Sequence, residues 1–469
     1  VGRGEVVALF LRNGIDYIVS LLAVQKASGI FVPIDVDLPP RRMEAVLNKV
    51  APKAFVTCQS GEENLRSRLT RSAQASPRPV AVFRWSNGGA LHRLEIHDAK
   101  REPVLIAASS QSLPDRPQPA DSMYVLFTSG STGEPKPILS SHAGLRHFIE
   151  WERDELRVDS SLRAGNLALT TFDVSLRDIF LPLVVGGTVC VPDMETRMSG
   201  PRLWRWLEEK RITLLHMVPS VFRLLLKEME SATASARFLP HLRFVLLAGE
   251  PLYGSDVVRA RRRLAEKIEL FNLYGPSETT LAKTFLRIPE TIADESRMIP
   301  IGKPIRGARI FLIRDNRPVA PGAIGEIHIQ PPFACLGYFR SPEMTAERFV
   351  RNPLSPDGNE IVYRTGDMGR LLPDGDIEFM GRLDRQVKVN GIRVELAEID
   401  HALRANPEVD QAFVVARKLA DGENALACYY TEMTPIDPPT LRLRLAEYLP
   451  PGMIPQYFVK LEAFPLNLN

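Results

Sequence analysis

Residues 126–136 read LFTSGSTGEPK, and they continue an apolar run that is typical of a buried strand. The spacing differs from the G-x-x-x-x-G-K-S/T pattern of the common ATP-binding loop. The chemistry is still that of a phosphate-binding loop, because glycines let backbone amides turn toward an anion while hydroxyls and a cation add donors. The groups concerned are Thr128, Ser129, Gly130, Ser131, Thr132, Gly133 and Lys136. A flexible surface loop is the alternative interpretation of this segment taken alone.

The composition excludes several classes of protein. A chain of 469 residues is too long for one hydrophobic core, so two or more domains are expected. The formal net charge of +3 and the lack of a clustered basic face argue against nucleic-acid binding. No uninterrupted apolar run approaches the length of a membrane span. The four cysteines are widely separated, which predicts reduced thiols, no zinc site and a cytoplasmic location.

The order of apolar segments predicts an α/β fold. Buried-strand runs such as VVALF (6–10), AFVTC (54–58) and LRFVLLAGE (242–250) alternate with helical stretches, which indicates a mostly parallel sheet. From about residue 300 the chain becomes rich in strands and turns, with PDG at 373–375 as a hairpin turn, so a β subdomain is expected. Residues 385–469 combine strands and a helix and predict a small α+β unit.

Eight segments carry longer patterns: VQKASGIFVPID (24–35), LFTSGSTGEPK (126–136), FDVS (172–175), NLYGPSETT (272–280), GEIHI (325–329), YRTGDMGR (363–370), GRLDRQVKVNGIRVELAEI (381–399) and LPPGMIPQYFVKLEAFPLNLN (449–469). In this order they resemble the blocks of the adenylate-forming superfamily, and in particular an amino-acid adenylation domain of a nonribosomal peptide synthetase. The resemblance implies a large core of stacked α/β subdomains plus a β subdomain at 1–383. A small mobile α+β lid at 385–469 would follow, with a hinge at Asp384.

The resemblance also implies a reaction. Such enzymes join a carboxylate to ATP, release pyrophosphate, and pass the acyl group to the phosphopantetheine thiol of a carrier protein. The expected ligands are therefore ATP, Mg²⁺ and an amino acid. The expected partners are a carrier domain and the small helper protein that many such domains need. The stretch around Gly391 would face the thiol-bearing arm.

For the nucleotide, the resemblance assigns a role to each matching residue. Glu278 would hold Mg²⁺, a hard cation that prefers oxygen ligands. Asp367 would accept hydrogen bonds from the ribose hydroxyls, with Arg382 contacting the ribose or phosphate region. Tyr274 would stack on adenine. Asn272 and the adenine segment AGE, which contains Gly249 and Glu250, would line the base. The rest of the expected nucleotide site consists of Leu273, Gly275 and Ser277. Taken alone, Glu278 would be a solvated loop acid and Asp367 a cap or turn residue.

For the amino acid, the resemblance makes Asp173 the partner of the substrate ammonium. The alternative is an N-cap of the helix that follows. The expected wall of the amino-acid site is Val174, Arg177, His216, Leu246, Ala248, Leu273, Leu281 and Ala282. Because Arg177 and His216 are polar and Arg pairs well with carboxylates, we expect an acidic substrate of the aspartate or glutamate type. The competing interpretation is that Arg177 pairs with Asp178 or another neighbour and that His216 fills a gap.

The sequence departs from the family pattern at two places. Pro137 replaces a glycine after Lys136 and should stiffen that edge of the loop. The sequence stops at Asn469, before the family's catalytic lysine, and neither Lys388 nor Lys460 matches that lysine. Together with a start in mid-domain, this predicts a fragment that adenylates poorly. Two alternatives stay open at this point: a stand-alone acyl- or aryl-CoA ligase, and a degenerate adenylation domain that serves as a scaffold.

Overall fold

The computed structural model describes residues 1–58, 61, 63, 65, 80–85, 91–96, 116–130, 134–231, 238–333, 335–355, 358–389, 391–419 and 424–464. In these ranges the predicted α/β class is confirmed. Among the described residues, no helix combines the length and the apolar character needed to cross a membrane.

Eight strands form the first sheet: β1 (Val6–Phe10), β2 (Ile30–Pro33), β3 (Ala54–Cys58), β4 (Val80–Trp85), β5 (Leu91–Ile96), β6 (Ser122–Thr128), β7 (Lys136–Ser141) and β18 (Gly337–Tyr338). Their order is β18-β7-β6-β2-β1-β3-β4-β5. The strands from β6 to β4 run parallel, whereas β5, β7 and β18 pair antiparallel at the two edges. Every residue of β1 is buried, as expected for a parallel strand covered on both faces.

Seven strands form the second sheet: β8 (Arg163–Gly165), β9 (Thr188–Cys190), β10 (Leu214–Met217), β11 (Phe244–Ala248), β12 (Glu269–Tyr274), β13 (Thr284–Arg287) and β14 (Lys303–Pro304). Their order is β14-β13-β12-β11-β10-β8-β9. The strands from β9 to β12 are parallel, and β13 and β14 are antiparallel. The parallel prediction therefore holds for the centre of both sheets and not for their edges.

The predicted β subdomain is an antiparallel sheet of six strands: β15 (Arg309–Arg314), β16 (Arg317–Pro318), β17 (Ile324–Gln330), β19 (Phe349–Arg351), β20 (Ile361–Leu371) and β21 (Ile377–Arg382). The PDG segment forms the turn between β20 and β21. Its Gly375 has a φ of +86°, a left-handed conformation that favours glycine.

The chain after Asp384 builds two small sheets. One is the hairpin of β22 (Gln386–Val389) and β23 (Ile392–Glu395), and the other contains β24 (Val409–Lys418), β25 (Asn424–Glu432) and β26 (Tyr457–Lys460). They share one apolar cluster, which also includes residues of the helices at 396–404 and 438–445. Asp384 lies between β21 and β22, and both the domain boundary and the hinge stay predictions.

The helices found in the described residues are α1 (Ile15–Lys26), α2 (Pro40–Val50), α3 (His142–Leu156), α4 (Val174–Val185), α5 (Met194–Arg197), α6 (Gly200–Glu209), α7 (Pro219–Ser231), α8 (Gly254–Arg263), α9 (Pro342–Arg348), α10 (Leu396–Arg404) and α11 (Pro438–Leu445). Short 3₁₀ helices span Ser277–Thr279 and Pro451–Met453. Three of the helices, α1, α3 and α4, share one apolar cluster with strands of both large sheets. These helices therefore pack against both large sheets and connect the two α/β layers.

Candidate active site

The predicted phosphate loop is the connection between β6 and β7. Thr128 pairs with Lys136 across this hairpin, and the side chain of Lys136 is buried. A Cβ at Gly130 would lie 1.8 Å from the carbonyl oxygen of Glu134, so only glycine fits there. Pro137 lies within β7, where its carbonyl accepts a hydrogen bond from the Phe339 amide at 2.7 Å. The predicted residues Ser131, Thr132 and Gly133 lie outside the described residues.

Groups from the C-terminal hairpin contact the described part of this loop. The Ser129 hydroxyl donates to the Arg393 carbonyl at 2.8 Å and accepts from the Glu395 amide at 3.2 Å. Lys136 Nζ lies 3.3 Å from Glu395 Oε1, and both side chains are buried. A carboxylate therefore already lies against the cation that was predicted to bind phosphate.

A second carboxylate of the C-terminal unit reaches the loop backbone. The Gly130 amide donates to Glu398 Oε2 at 3.0 Å, and Glu398 also pairs with Arg42 at the start of α2. Burial raises the pKa of Glu398, although Arg42 opposes this effect. An inward-facing loop amide and the Lys136 ammonium are the donors that a phosphate would need. In this arrangement Glu398 accepts the hydrogen bond of the loop amide, and Glu395 pairs with the ammonium.

Glu278, the predicted Mg²⁺ ligand, lies in the 3₁₀ helix and is fully buried. Arg393 donates to both of its oxygens, at 2.9 and 2.8 Å, and the Tyr338 hydroxyl donates at 3.0 Å. Burial alone would raise the pKa of Glu278, but the charge of Arg393 outweighs it and holds this pKa below its usual value. The carboxylate is thus kept ionised, which a metal ligand requires.

The donor set around Glu278 fits one kind of metal site. Among the described residues no group of three or more His, Cys, Asp or Glu side chains could hold a metal ion by itself. A single buried carboxylate suits Mg²⁺, which keeps waters and phosphate oxygens as its other ligands. Such an ion would neutralise phosphate charge, and Arg393 would have to withdraw from Glu278 to admit it.

The predicted ribose residue Asp367 lies in a cluster of polar contacts. The Tyr274 hydroxyl donates to Asp367 Oδ2 at 2.6 Å, and Arg382 pairs with the other oxygen. Arg382 also donates to both oxygens of Asp384, at 2.7 and 2.8 Å, and to the carbonyl of Thr365 at 3.2 Å. The structure therefore brings the predicted ribose, adenine and hinge residues into one connected group.

The predicted adenine segment is held by the start of α7. Glu250 accepts from the amide and the hydroxyl of Ser220, at 2.8 and 3.0 Å, and from the amide of Gly391. Gly249 has a φ of +94°, which favours glycine. The Asn272 amide donates to the carbonyls of Ile299 and Pro300, at 3.1 and 2.8 Å. Glu250 and Asn272 thus make internal contacts in this arrangement.

Gly275 shows why the segment after β12 can pass so close to its own chain. A Cβ there would lie 2.5 Å from the Leu281 carbonyl oxygen and 2.8 Å from the Lys283 amide nitrogen. The tight loop brings Ser277 to Asp173, whose carboxylate it contacts. Asp173 is at the N-cap position of α4 but its side chain makes no capping hydrogen bond. The N-cap interpretation of Asp173 is therefore not supported. Burial raises the pKa of this carboxyl group.

The apolar members of the predicted amino-acid site share one large apolar cluster. They belong to the cluster that joins the two large sheets, or pack against it: Val174, Leu246, Ala248, Leu273, Leu281 and Ala282. Leu246, Ala248 and Leu273 come from the parallel strands β11 and β12, and the other three come from α4 and the loop after β12. Their role at an amino-acid site stays a prediction.

His216 is fully engaged with acidic side chains. Its Nδ1 lies 2.5 Å from Asp178 Oδ1, and its Nε2 lies 2.7 Å from Glu152 Oε1, with all three groups buried. Burial and Arg177 lower the pKa of His216, but the two carboxylates outweigh them, so its pKa is raised. Because both ring nitrogens are used, His216 has no free nitrogen for a substrate here.

Arg177 lies on α4 next to Asp178, with only 2% of its surface exposed. Its charge acts on Asp173, Asp178 and His216. The Nε atom nevertheless has no hydrogen-bond partner within the described part of the chain. The alternative of a hydrogen-bonded Arg177–Asp178 pair is not what the structure shows, since Asp178 bonds to His216 instead.

Sequence reasoning missed Lys283, which directly follows Leu281 and Ala282. Its side chain is 1% exposed, and its ammonium donates to the carbonyls of Thr280 and Ala282. A lysine within the otherwise apolar stretch LAKTF (281–285) is the feature that could have drawn attention to it.

Comparison with known proteins places this architecture. The family model described as AMP-binding enzyme matches residues 1–339. Tyrocidine synthase 2 of Brevibacillus parabrevis is 32% identical over 470 residues, which cover all of this chain and 12% of that protein. A solved four-domain nonribosomal peptide synthetase bound to AMP and glycine is 27% identical in sequence and has a TM-score of 0.63. The match covers 100% of this chain and 32% of that chain.

A further solved structure supports the fold alone. The Vibrio cholerae adenylation domain AlmE, in complex with glycyl-adenosine-5'-phosphate, is 21% identical with a TM-score of 0.82 over 98% of this chain and 86% of that chain.

Because the family model matches residues 1–339, the chain belongs to the AMP-binding enzyme family of ATP-dependent adenylate-forming ligases. The predicted resemblance to adenylation domains of nonribosomal peptide synthetases is confirmed, and the stand-alone CoA-ligase alternative is not favoured. The chain spans only about an eighth of tyrocidine synthase 2.

Proposed function

We propose that this chain activates an amino acid with ATP and Mg²⁺ and transfers the aminoacyl group to the phosphopantetheine thiol of a carrier domain. In the first step the substrate carboxylate attacks the α-phosphorus and the bond to the bridging oxygen breaks, so pyrophosphate leaves. The chain's own groups neutralise phosphate charge at Lys136 and hold the substrate ammonium at Asp173. Family membership supports this activity.

We propose further that the substrate carries an acidic side chain. The observation that carries this is the buried Arg177, whose Nε atom is unpaired among the described residues. A buried guanidinium nitrogen without a hydrogen bond is unfavourable, and a carboxylate supplies a complementary acceptor. His216 is already engaged with Asp178 and Glu152, so we do not expect it to bond to the substrate directly.

A pyrophosphate-exchange panel of amino acids tests the substrate class. We expect aspartate- or glutamate-type substrates to give the largest kcat/KM. In Arg177→Met this preference should fall by roughly 10- to 100-fold, the loss expected for one charge-assisted hydrogen bond. Arg146→Met is the matched control, because Arg146 is an exposed arginine on the neighbouring helix α3. A preference of the wild-type chain for leucine or phenylalanine would refute the acidic assignment.

The second half-reaction is proposed from the placement of Gly391. This residue lies at the tip of the β22–β23 hairpin, and its amide donates to Glu250 beside the predicted adenine segment. A Cβ at Gly391 would lie 2.4 Å from Val218, so a larger residue would push the hairpin away from the core. Gly391→Val should therefore slow loading of a phosphopantetheinylated carrier domain more than it slows pyrophosphate exchange. Equal losses in both assays would contradict this role.

Two other proposals concern a protein partner and the cellular location of the enzyme. A small helper protein is a proposed partner, and co-expression with one should raise the yield of active chain. A cytoplasmic location is proposed from the four cysteines, which are all free thiols in the structure.

A further inference from the structure

Two adjacent arginines at the start of α2 contact the C-terminal unit, and none of the roles proposed above uses them. Arg42 pairs with Glu398 on α10, and both side chains are largely buried, at 10% and 1% exposure. The Arg41 guanidinium lies 4.4 Å from the centre of the Tyr448 ring, and its Nη2 lies 3.7 Å from Glu447 Oε2. One helix of the core therefore contacts two separate segments of the C-terminal unit.

The helix α2 is itself fixed to the first sheet. Its buried residues belong to the apolar cluster that also contains residues of β1, β2 and β3: Met43, Val46, Leu47 and Val50. Towards its other end, Lys49 Nζ lies 2.8 Å from Glu134 Oε2, in the connection between β6 and β7. The two arginines thus project from a helix that is anchored in the core and lies beside the predicted phosphate loop.

Glu398 joins this helix to the phosphate loop. Its Oε1 pairs with Arg42, and its Oε2 accepts a hydrogen bond from the Gly130 amide at 3.0 Å. The carboxylate therefore bridges α2 and the loop, and Arg42 holds it at the amide that was predicted to face phosphate. A nucleotide that uses the Gly130 amide has to displace Glu398, and the contact to Arg42 is lost when the C-terminal unit moves away.

We propose that Arg41 and Arg42 form a latch, which holds the C-terminal unit against the phosphate loop and has to open before MgATP binds. The proposal rests on the proposed function, because the nucleotide site at Gly130 is part of it. The latched arrangement is also the one in which the Gly391 amide reaches Glu250, so the latch favours carrier loading. Arg42 is thus a positioning residue with opposite effects on the two half-reactions.

The two arginines should contribute unequally. Removal of Arg42 leaves Glu398 buried without its cation, and this destabilises the latched arrangement alone, since the carboxylate regains water when the C-terminal unit moves away. Arg41 and Glu447 are both 58% exposed, so their ion pair is weak, and the stacking on Tyr448 adds a modest term. Because the latch and the nucleotide compete, a weaker latch raises the apparent affinity for MgATP.

Hydrogen–deuterium exchange of the nucleotide-free chain tests the latch without any substrate. Three backbone amides donate across to or from the C-terminal unit: Gly130 to Glu398, Gly391 to Glu250, and Glu395 to the Ser129 hydroxyl. In Arg42→Met, peptides that contain these amides should exchange at least about threefold faster than in the wild type. Arg42→Lys keeps a cation and should lie between the two.

Binding of MgATP, measured by calorimetry, is the second test. The Kd of Arg42→Met should be roughly three- to tenfold lower than that of the wild type. Arg12→Met is the matched control, because Arg12 pairs with Asp37 in an exposed contact that lies entirely within the core. It should leave both the exchange rates and the Kd unchanged.

The third test compares the half-reactions, which a merely structural role would impair together. In Arg42→Met, single-turnover transfer from the preformed aminoacyl-adenylate to a phosphopantetheinylated carrier domain should slow by roughly three- to tenfold, while the KM for ATP in pyrophosphate exchange falls. Arg41→Met should change both in the same directions by about twofold.

The outcomes separate this inference from the proposed function. Unchanged exchange rates or an unchanged or higher Kd for MgATP in Arg42→Met would overturn the latch. Faster exchange and tighter MgATP binding in a chain that activates no amino acid would support the latch and refute the proposed function. A chain that binds no ATP would overturn both. Should Arg42→Met not fold, the exposed Arg41→Met decides: faster exchange supports the latch, and wild-type exchange contradicts it.

Discussion

Arg393 donates two hydrogen bonds to the buried carboxylate of Glu278, at 2.9 and 2.8 Å, across 115 residues of sequence. The cation comes from the C-terminal hairpin, and the acid comes from the core motif that was predicted to hold Mg²⁺. In the same arrangement Glu395 and Glu398 contact the phosphate loop. The C-terminal unit thus supplies both a cation at the predicted metal site and anions at the predicted phosphate site, which are the charges that MgATP would replace.

The first prediction concerns the Arg393–Glu278 pair. Arg393→Met leaves a buried acid without its cation, so the free energy of unfolding at pH 7 should fall by about 3 kcal/mol. Because Arg393 holds the pKa of Glu278 below its usual value, the contribution is present above the unfolded pKa and is lost as pH falls through the folded pKa. Urea unfolding at pH 7 and in acid measures both effects.

Arg146→Met is the control for this prediction, since it breaks an exposed ion pair on α3 that should be worth less than about 1 kcal/mol. An unfolding free energy at pH 7 that is the same in Arg393→Met and in the wild type would contradict the account of this pair.

The second prediction concerns the anions at the phosphate loop. Glu395→Gln removes the charge that faces Lys136, so ATP no longer competes with it and the KM for ATP in pyrophosphate exchange should fall by roughly three- to tenfold. Glu432→Gln, which alters an ion pair elsewhere in the C-terminal unit, should leave this KM unchanged. An unchanged or higher KM in Glu395→Gln would show that the carboxylate does not compete with nucleotide.

The third prediction compares two aspartates at helix N-caps. Asp193 caps α5 by accepting a hydrogen bond from the Thr196 amide at 2.7 Å, whereas Asp173 makes no such bond at α4. Asp173→Ala should therefore lower kcat/KM for the amino acid by at least about 100-fold, through loss of a charge-assisted contact, with a smaller effect on the KM for ATP. Asp193→Ala should retain activity and lose about 1 kcal/mol of stability. The reverse pattern would make Asp173 a structural cap.

The fourth prediction concerns the pH dependence of stability at His216. The two carboxylates raise the pKa of this buried ring above its usual value. The stabilising effect is therefore fully present below the unfolded pKa and is lost as pH rises through the folded pKa. His216→Gln should reduce this loss of stability on the alkaline side of pH 6.5, as measured by urea unfolding at several pH values. A curve identical in shape to that of the wild type would contradict a protonated His216.

Much of the fold could be predicted because the information is local. VVALF is a continuous apolar run, and it forms the fully buried strand β1 at the centre of a sheet. The antiparallel edges were missed, since β7 turns back on β6 as a hairpin and β18 is a two-residue strand from a distant part of the chain. Pairing direction is a property of the folded chain and leaves little trace in the composition of one strand.

The candidate site was predictable where a motif fixes the backbone, as with Gly275 and the loop that brings Ser277 to Asp173. The hydrogen-bond and ion-pair partners of the side chains could not be predicted. His216 was expected at a substrate, and it instead bridges two buried acids from α3 and α4. Lys283 is a single lysine in an apolar stretch, and no periodic pattern of residues marks it as part of the site. Such contacts join residues far apart in sequence, so no local rule could specify them.

The decisive experiment is a crystal structure of the chain with ATP, Mg²⁺ and its preferred amino acid. We expect the triphosphate to lie against Thr128, Ser129 and Lys136 and the substrate ammonium against Asp173, with the Glu395 and Glu398 carboxylates withdrawn from the loop. Nucleotide and amino acid bound elsewhere, with both carboxylates still in contact with the loop, would contradict it.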